Sequence, residues 1–376
     1  MNDRQIKVLI DNQAFMQRYG GVSRIFAELI RLSGVDRNEK VLMNAPLFFS
    51  ENENLHQYNL VPNTNLNFIR KLKFRGKGKF INLINFQNKR LIIKALKKNE
   101  FDVFIVTYYD TYFLRYLNRP FVLTVYDMIH ELFPEMFPND ETAENKKKLI
   151  LTASRIIAIS ESTKTDILRL YPQISADKID VIYLNDSIIP ESQKLTLPEE
   201  YILFVGNRIK YKNFNLLLEA FLEIKLKYKA LKLVCAGGAG FSRSEIKSIR
   251  SMNLANEVLQ IDFRNNELYQ FYKNAKLFVF PSLYEGFGIP VLEAMRSGCP
   301  CLLSNSSSLI EIGAQAAEYF DPCDKYDLIE KISRLLKDDS RRTKLAELGL
   351  IRAQQFSWEK TYQLYLEAIS QSLNDA

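Results

Sequence analysis

Histidine is nearly missing from this chain, whose 376 residues contain only His56 and His130. No Asp-x-Asp triplet occurs, and Cys235, Cys299, Cys301 and Cys323 follow neither a disulfide framework nor paired CxxC zinc spacing. A metal-dependent mechanism has little to build on, so no catalytic metal is expected. The cysteines sit in or beside apolar, strand-like segments, which suits a reducing compartment. No apolar run reaches the roughly 18 to 20 residues that would cross a bilayer. The first residues lead straight into Lys7-Val8-Leu9-Ile10, without the longer apolar core and small-residue cleavage site of a secretory leader. A cytoplasmic location is expected. Gly237-Gly238-Ala239-Gly240 follows a strand-like run but lacks the full GxGxxG spacing, which argues against a dinucleotide site there.

What is present is an ordinary globular composition, 47% hydrophobic and 25% charged, in a chain too long for one core. Short β-branched or aromatic runs alternate with longer stretches of helical period, the pattern of a parallel sheet with crossover helices, so the fold class is α/β. In the first half the spacing predicts strands at 7–11, 41–44, 101–107, 121–125, 155–160 and 179–184. Helices are predicted near 22–33, 86–99, 141–153 and 161–170. The polar, proline-containing stretch Asn185 to Glu200 breaks the period, which places a domain boundary there. A second series follows, with strands at 201–205, 231–236, 258–262, 277–280 and 300–304 and helices near 214–228, 242–253, 266–274 and 290–297. About three further helices close the chain, the last from Trp358 to Leu373, with no further strand predicted. The expected domains are 1–190, 196–356 and a closing helix at 357–376 that crosses back onto the first domain.

Charge is uneven within a net +7. Arg70, Lys71, Lys73, Arg75, Lys77 and Lys79 precede Lys89, Arg90, Lys94, Lys97 and Lys98, interleaved with apolar residues such as Phe74, Phe80, Leu83 and Phe86. A helix of this kind can lie on an anionic membrane, each basic residue adding about 1 kcal/mol, or it can be a solvated face. Nucleic acid ranks last, because no recognised nucleic-acid motif accompanies the charge.

The most informative segment follows the run Leu277-Phe278-Val279-Phe280 and reads Pro281-Ser282-Leu283-Tyr284-Glu285-Gly286-Phe287-Gly288-Ile289-Pro290-Val291-Leu292-Glu293. Pro290 suits the first turn of a helix, so the glycines would let a diphosphate approach free amides at the helix start. Glu285 is then expected in the loop and Glu293 in the first turn, where a carboxylate also complements the helix dipole. In open α/β sheets ligands bind outside the carboxyl ends of the strands, so two such domains facing each other would share one cleft.

Glu285-x7-Glu293 around Gly286-Phe287-Gly288-Ile289 resembles the donor-site signature of glycosyltransferase family 4, retaining enzymes of the GT-B fold. The resemblance extends, in the family's order, to Gly20-Gly21, to Gly206-Asn207-Arg208 through Lys212, and to Ser304-Asn305-Ser306-Ser307-Ser308-Leu309-Ile310-Glu311. Tyr126-Asp127-Met128-Ile129-His130-Glu131 and Ser160-Glu161-Ser162-Thr163 are similar to the bacterial mannosyltransferase-like branch. The sequence departs from the family where Asn207 stands in place of an arginine, Tyr126 in place of a histidine and Ile310 in place of a proline.

The resemblance implies two Rossmann-like domains, the first for an acceptor and the second for a nucleotide-diphosphate sugar, with GDP-mannose the leading donor. A glycan or lipid-linked acceptor of bacterial surface polysaccharide is implied, with the enzyme cytoplasmic or at the inner face of the membrane. Lys212 and Arg208 would take the charge of the leaving diphosphate in place of a metal. Glu285 would meet the sugar and Glu293 the ribose, while Asp127 and His130 are further candidates near the sugar. His130 reads equally as a satisfied structural histidine. Gly20, Gly21, Gly206, Asn207, Gly286, Phe287, Gly288, Ile289, Ser304 and Glu311 would shape the donor pocket. A nucleotide-sugar epimerase of the same fold and a non-catalytic transferase-like subunit are the alternatives.

Overall fold

A computed structural model describes residues 5–18, 20–36, 40–61, 76–190, 195–263 and 267–374. Arg70, Lys71, Lys73, Phe74 and Arg75 of the basic region lie outside these. Two compact units emerge. One gathers the chain up to Ile159, Lys164–Ile182 and the residues from Trp358 onward; the other gathers Ser160–Thr163 and Tyr183–Ser357.

The first unit is built on β1 (Ile6–Ile10), β2 (Val41–Asn44), β3 (Val103–Val106), β4 (Phe121–Val125), β5 (Arg155–Ala158) and β6 (Ile179–Val181). These form one parallel sheet in the order β2-β1-β3-β4-β5-β6, with Val8 opposite Val103 and Leu123 opposite Ile156. Every residue of β3 and β4 is buried, as a parallel strand covered on both faces must be. The helix Trp358–Asn374 belongs to this unit and packs on β3, β4 and β5. Tyr365, wholly buried, places its hydroxyl 3.0 Å from Thr124 Oγ1 of β4.

The second unit holds β7 (Tyr201–Val205), β8 (Lys232–Ala236), β9 (Val258–Ile261), β10 (Leu277–Phe280), β11 (Cys301–Ser304) and β12 (Ala317–Phe320). Its order is β12-β11-β10-β7-β8-β9, again all parallel. From β7 the chain runs outward to β9, then returns to β10 and runs outward the other way, so β7 and β10 flank the point where the order reverses. The helix Phe214–Lys227 packs with Lys325–Lys337, whereas Ile289–Arg296 packs with Asp339–Ala353.

Three sequence expectations need correction. β12 was not expected: it is four residues long and carries Glu318 and Tyr319 half-buried at the sheet edge, so it has no apolar run to detect. The basic helix starts at Lys77, nine residues earlier than predicted, behind a left-handed Gly76. Gly288, at φ +99, starts the next helix at Ile289. That puts Glu293 in its fifth position, beyond the first turn. Among the described residues no helix is long and apolar enough to cross a membrane.

Truncating Tyr365 to Ala removes a buried ring from unit 1 and is expected to cost about 3 to 5 kcal/mol in denaturant unfolding of the full chain. Tyr365→Phe, which removes only the Thr124 partner, should cost about 1 to 3 kcal/mol.

Candidate functional site

The loop leaving β7 begins at Gly206, whose φ of +109 suits glycine, and ends in the single turn Lys210–Lys212. The loop leaving β10 runs from Pro281 to Gly288. The Leu283 amide donates to the Tyr211 carbonyl at 2.8 Å and ties the two loops together. Across this tie Lys212 Nζ donates to Glu285 Oε1 at 2.6 Å, with side-chain exposures of 14% and 12%. The ammonium also lies 5.0 Å and 5.3 Å from the ring centres of Tyr211 and Phe280. Glu285 is held at its backbone, its amide donating to Ser307 Oγ and its carbonyl accepting from Ser308 Oγ, both at 2.9 Å. Ser307 keeps its hydroxyl there at φ +46 and ψ −138, a backbone state that costs a non-glycine residue on the order of 1 to 3 kcal/mol. A cation and a carboxylate therefore meet at the carboxyl ends of two neighbouring parallel strands, where an open α/β sheet binds its ligand.

The other residues of this unit singled out from sequence have varied surroundings. Gly286 offers its carbonyl to Thr163 Oγ1 at 3.3 Å. Phe287 is buried and meets Tyr183 and, edge to face, Phe356, so it anchors the loop rather than facing a ligand. A Cβ on Gly288 would stand 3.0 Å from Leu309, and Ile289 follows as the first helical residue. Glu293 is 6% exposed and accepts from the buried Tyr272 hydroxyl at 3.0 Å; burial first, then Glu293, push that phenol well above its usual range. Ser304 Oγ donates to the Phe280 carbonyl. Glu311 accepts from the Glu161 and Ser162 amides at 2.8 and 3.2 Å, acting as a helix cap. Gly206 and Asn207 lie against Gly238. Arg208, expected to face a phosphate, instead points into Glu245 and the carbonyls of 237–240.

In the first unit, Gly20 and Gly21 start the helix Gly21–Val35, and the Gly20 carbonyl accepts from Ser23 and Asn54. Asp127 and His130 follow β4. Between them and Glu131 sits Lys146, a wholly buried lysine that donates to the Asp127 carbonyl at 2.8 Å and to Glu131 Oε2 at 2.9 Å. Its Nζ is 3.6 Å from Asp127 Oδ1. Burial raises the Glu131 carboxyl even though Lys146 opposes the shift. His130 stacks 4.2 Å from Phe137 with Nε2 3.7 Å from Asp140. Sequence reasoning missed Lys146 because a single lysine on an amphipathic helix carries no local signal of burial.

Among the described residues no group of three or more His, Cys, Asp or Glu is placed to hold a metal ion.

The family model described as Glycosyl transferases group 1 matches residues 186–352, and that described as Glycosyltransferase Family 4 matches residues 48–184. The chain is 31% identical to O-antigen chain mannosyltransferase B of Escherichia coli over 258 residues, covering 63% of this chain and 67% of that one. It is 28% identical to the serotype-specific mannosyltransferase WbdA of Escherichia coli over 68% of this chain but spans only 34% of that protein's length. Among solved structures, Anabaena Alr3699/HepE in complex with UDP and glucose superposes with a TM-score of 0.72 at 19% identity, covering 97% of this chain and all of that one. Sucrose-phosphate synthase from Thermosynechococcus elongatus gives 0.71 at 20%, over 98% of this chain and all of that one.

A buried acid of the first unit yields a pH signature. Asp11, just past β1, is wholly buried, and burial lifts its carboxyl from 3.8 to about 6 despite bonds from the Tyr112 hydroxyl and the Asn12 amide. The folded state therefore holds this proton more tightly than the unfolded chain, so stability falls as pH rises from about 4 to about 6. Asp11→Asn removes that slope. Urea unfolding at pH 4 and pH 7 should show the variant gaining about 2 to 3 kcal/mol on the wild type between the two.

Proposed function

The chain belongs to glycosyltransferase family 4, and from that premise we propose that it transfers a hexose, mannose first, from a nucleotide-diphosphate sugar with retention of configuration. GDP-mannose is the leading donor, the acceptor is a glycan or lipid-linked oligosaccharide, and the product is bacterial surface polysaccharide such as O-antigen or capsule. The names of the Escherichia coli relatives support the sugar and the pathway. The donor is assigned to the second unit and the acceptor to the first.

The observation that carries this reading is the Lys212–Glu285 pair. In the reaction the bond between the sugar C1 and the diphosphate oxygen breaks, its electrons stay on that oxygen, and the acceptor oxygen bonds C1 on the same face. The acceptor proton passes to a donor phosphate oxygen. Lys212, whose carboxylate partner can be exchanged for a phosphate, neutralises the leaving charge; Glu285, once released, accepts from sugar hydroxyls. Glu293 meets the ribose, and the Gly286–Gly288 loop and the helix start lie along the diphosphate; Asp127 and His130 are the first unit's own candidates for a sugar hydroxyl. With Lys212 in that role the reaction needs no metal, so the rate should be unchanged in EDTA.

Contact with an anionic membrane belongs to the same proposal. On the helix Lys77–Lys98 the exposed residues Lys79, Leu83, Phe86, Arg90, Lys94 and Lys97 recur three or four apart and form one stripe, with Leu83 57% and Phe86 55% exposed. The opposite stripe of Ile84, Asn88, Ile92 and Leu96 is buried.

A donor screen over GDP- and UDP-sugars tests the activity, with GDP-mannose expected to be turned over. Lys212→Ala and Glu285→Ala should each lower kcat/KM at least about 100-fold, roughly 2.7 kcal/mol of transition-state stabilisation; wild-type kinetics in both would remove the site assignment. Co-sedimentation with phosphatidylglycerol vesicles should be weakened about ten-fold or more by Lys94→Glu with Lys97→Glu, and binding to neutral vesicles should stay weak throughout.

A further inference from the structure

Arg208 and Lys212 leave the same strand, and both are basic enough to hold a diphosphate, yet their surroundings are opposite. Lys212 meets one carboxylate and two ring faces. The Arg208 side chain is 3% exposed. Its Nε donates to Glu245 Oε1 at 2.7 Å, Nη1 to the Gly237 carbonyl at 3.3 Å, and Nη2 to the carbonyls of Ala239 and Gly240 at 2.8 and 3.2 Å. Four of the five guanidinium N–H groups are thereby committed. The Phe241 and Phe214 rings lie 4.8 and 5.8 Å from the guanidinium.

This cup of carbonyls is built into the backbone. Gly237, Gly238 and Ala239 all have left-handed φ values, +70, +73 and +62, and the run bends successive carbonyls toward one centre. A Cβ on Gly238 would fall 2.2 Å from the Gly206 carbonyl oxygen and 2.9 Å from Asn207 Cα, so the loop after β8 rests directly on the loop after β7. On its far side Glu245 closes a capping box with Ser242 at the start of the helix Arg243–Ser251. Although burial opposes it, bonds from Ser242 and then from Arg208 hold the Glu245 carboxyl below its usual range, so it is ionised near neutral pH. A diphosphate approaching Arg208 would meet a carboxylate and a ring of carbonyl oxygens before it met a free donor.

We infer that Arg208 is a positioning residue and not a phosphate ligand: with Glu245 it clamps the 237–240 loop onto Gly206–Asn207 and so fixes the turn that delivers Lys212. This rests on the reading that Lys212 serves the diphosphate of the donor.

The two roles give opposite signs for Glu245→Gln. Glutamine keeps the shape and the capping box, so the helix start survives while the clamp loses its charge. GDP, GMP, UDP and UMP are titrated calorimetrically against the wild type, Glu245→Gln, Arg208→Lys, Lys212→Ala and the double variant Glu245→Gln with Lys212→Ala. Each protein is first checked for a cooperative thermal transition, and Kd is taken for folded protein. A clamp predicts that Glu245→Gln weakens binding of the preferred diphosphate three- to ten-fold, that Arg208→Lys does the same, and that Glu245→Gln adds no further loss in the Lys212→Ala background. A direct phosphate contact predicts that removing the competing carboxylate tightens the diphosphate. Tighter or unchanged diphosphate binding in Glu245→Gln overturns the inference, as does a loss fully additive with Lys212→Ala. Failure of the donor reading looks different: Lys212→Ala would then lower diphosphate affinity no more than monophosphate affinity, whereas at least a ten-fold greater loss is expected.

Discussion

The reversal of strand order between β7 and β10 is the constraint on which the second unit's site depends. All six strands are parallel, so every loop that follows a strand emerges at the same edge. Elsewhere along that edge successive loops lead toward the same side of the sheet; at the reversal they part, leaving a gap that two loops line from opposite directions. The Lys212 and Glu285 side chains close across that gap. An ion pair covered to this degree gains little net stability, because losing water offsets most of the attraction. Its value lies in holding a cation and a carboxylate at one place, each able to exchange its partner for a ligand.

Three basic side chains in this chain show how partners decide the use of a charge. Lys146 is locked by a backbone carbonyl and a carboxylate and has no exposed surface. Arg208 is locked by a carboxylate and a set of carbonyls, a fit to the planar fork that an ammonium could not reproduce. Among the described residues, a long-range side-chain carboxylate and two ring faces hold the Lys212 ammonium. Formal charge is the same in all three, but the cost of redirecting it differs.

Much of the fold was legible locally. The strands at 121–125, 201–205 and 277–280 coincide with those observed, because strands buried on both faces of a parallel sheet read as continuous apolar runs; the edge strand at 41–44, buried on alternate residues, also coincides. β12 was not legible, since an edge strand of four residues with a glutamate in it leaves no such run. The helix beginning at Lys77 was read too short because Gly78 and the surrounding polar residues mask its period. In the candidate site, Glu285 and Lys212 were singled out through the family resemblance of their motifs. Ser307 was not, for its contribution is an unusual backbone conformation that no side-chain pattern encodes. Asp11 could have been suspected as a lone acid closing an apolar strand, but the Tyr112 hydroxyl that bonds it comes from far along the chain.

By itself the sequence determined the α/β class, most of the parallel strands and the two loops that carry the candidate donor residues. These follow from apolar periodicity and from glycine and proline placement, which are properties of near neighbours. Only the tertiary structure decided which cation stays available, that Glu293 lies a turn deeper and bonded to Tyr272, and that Arg208 is enclosed by a neighbouring loop. The reason is distance along the chain: Lys212 meets a residue 73 positions away and Arg208 one 37 positions away, and no local pattern records such a meeting.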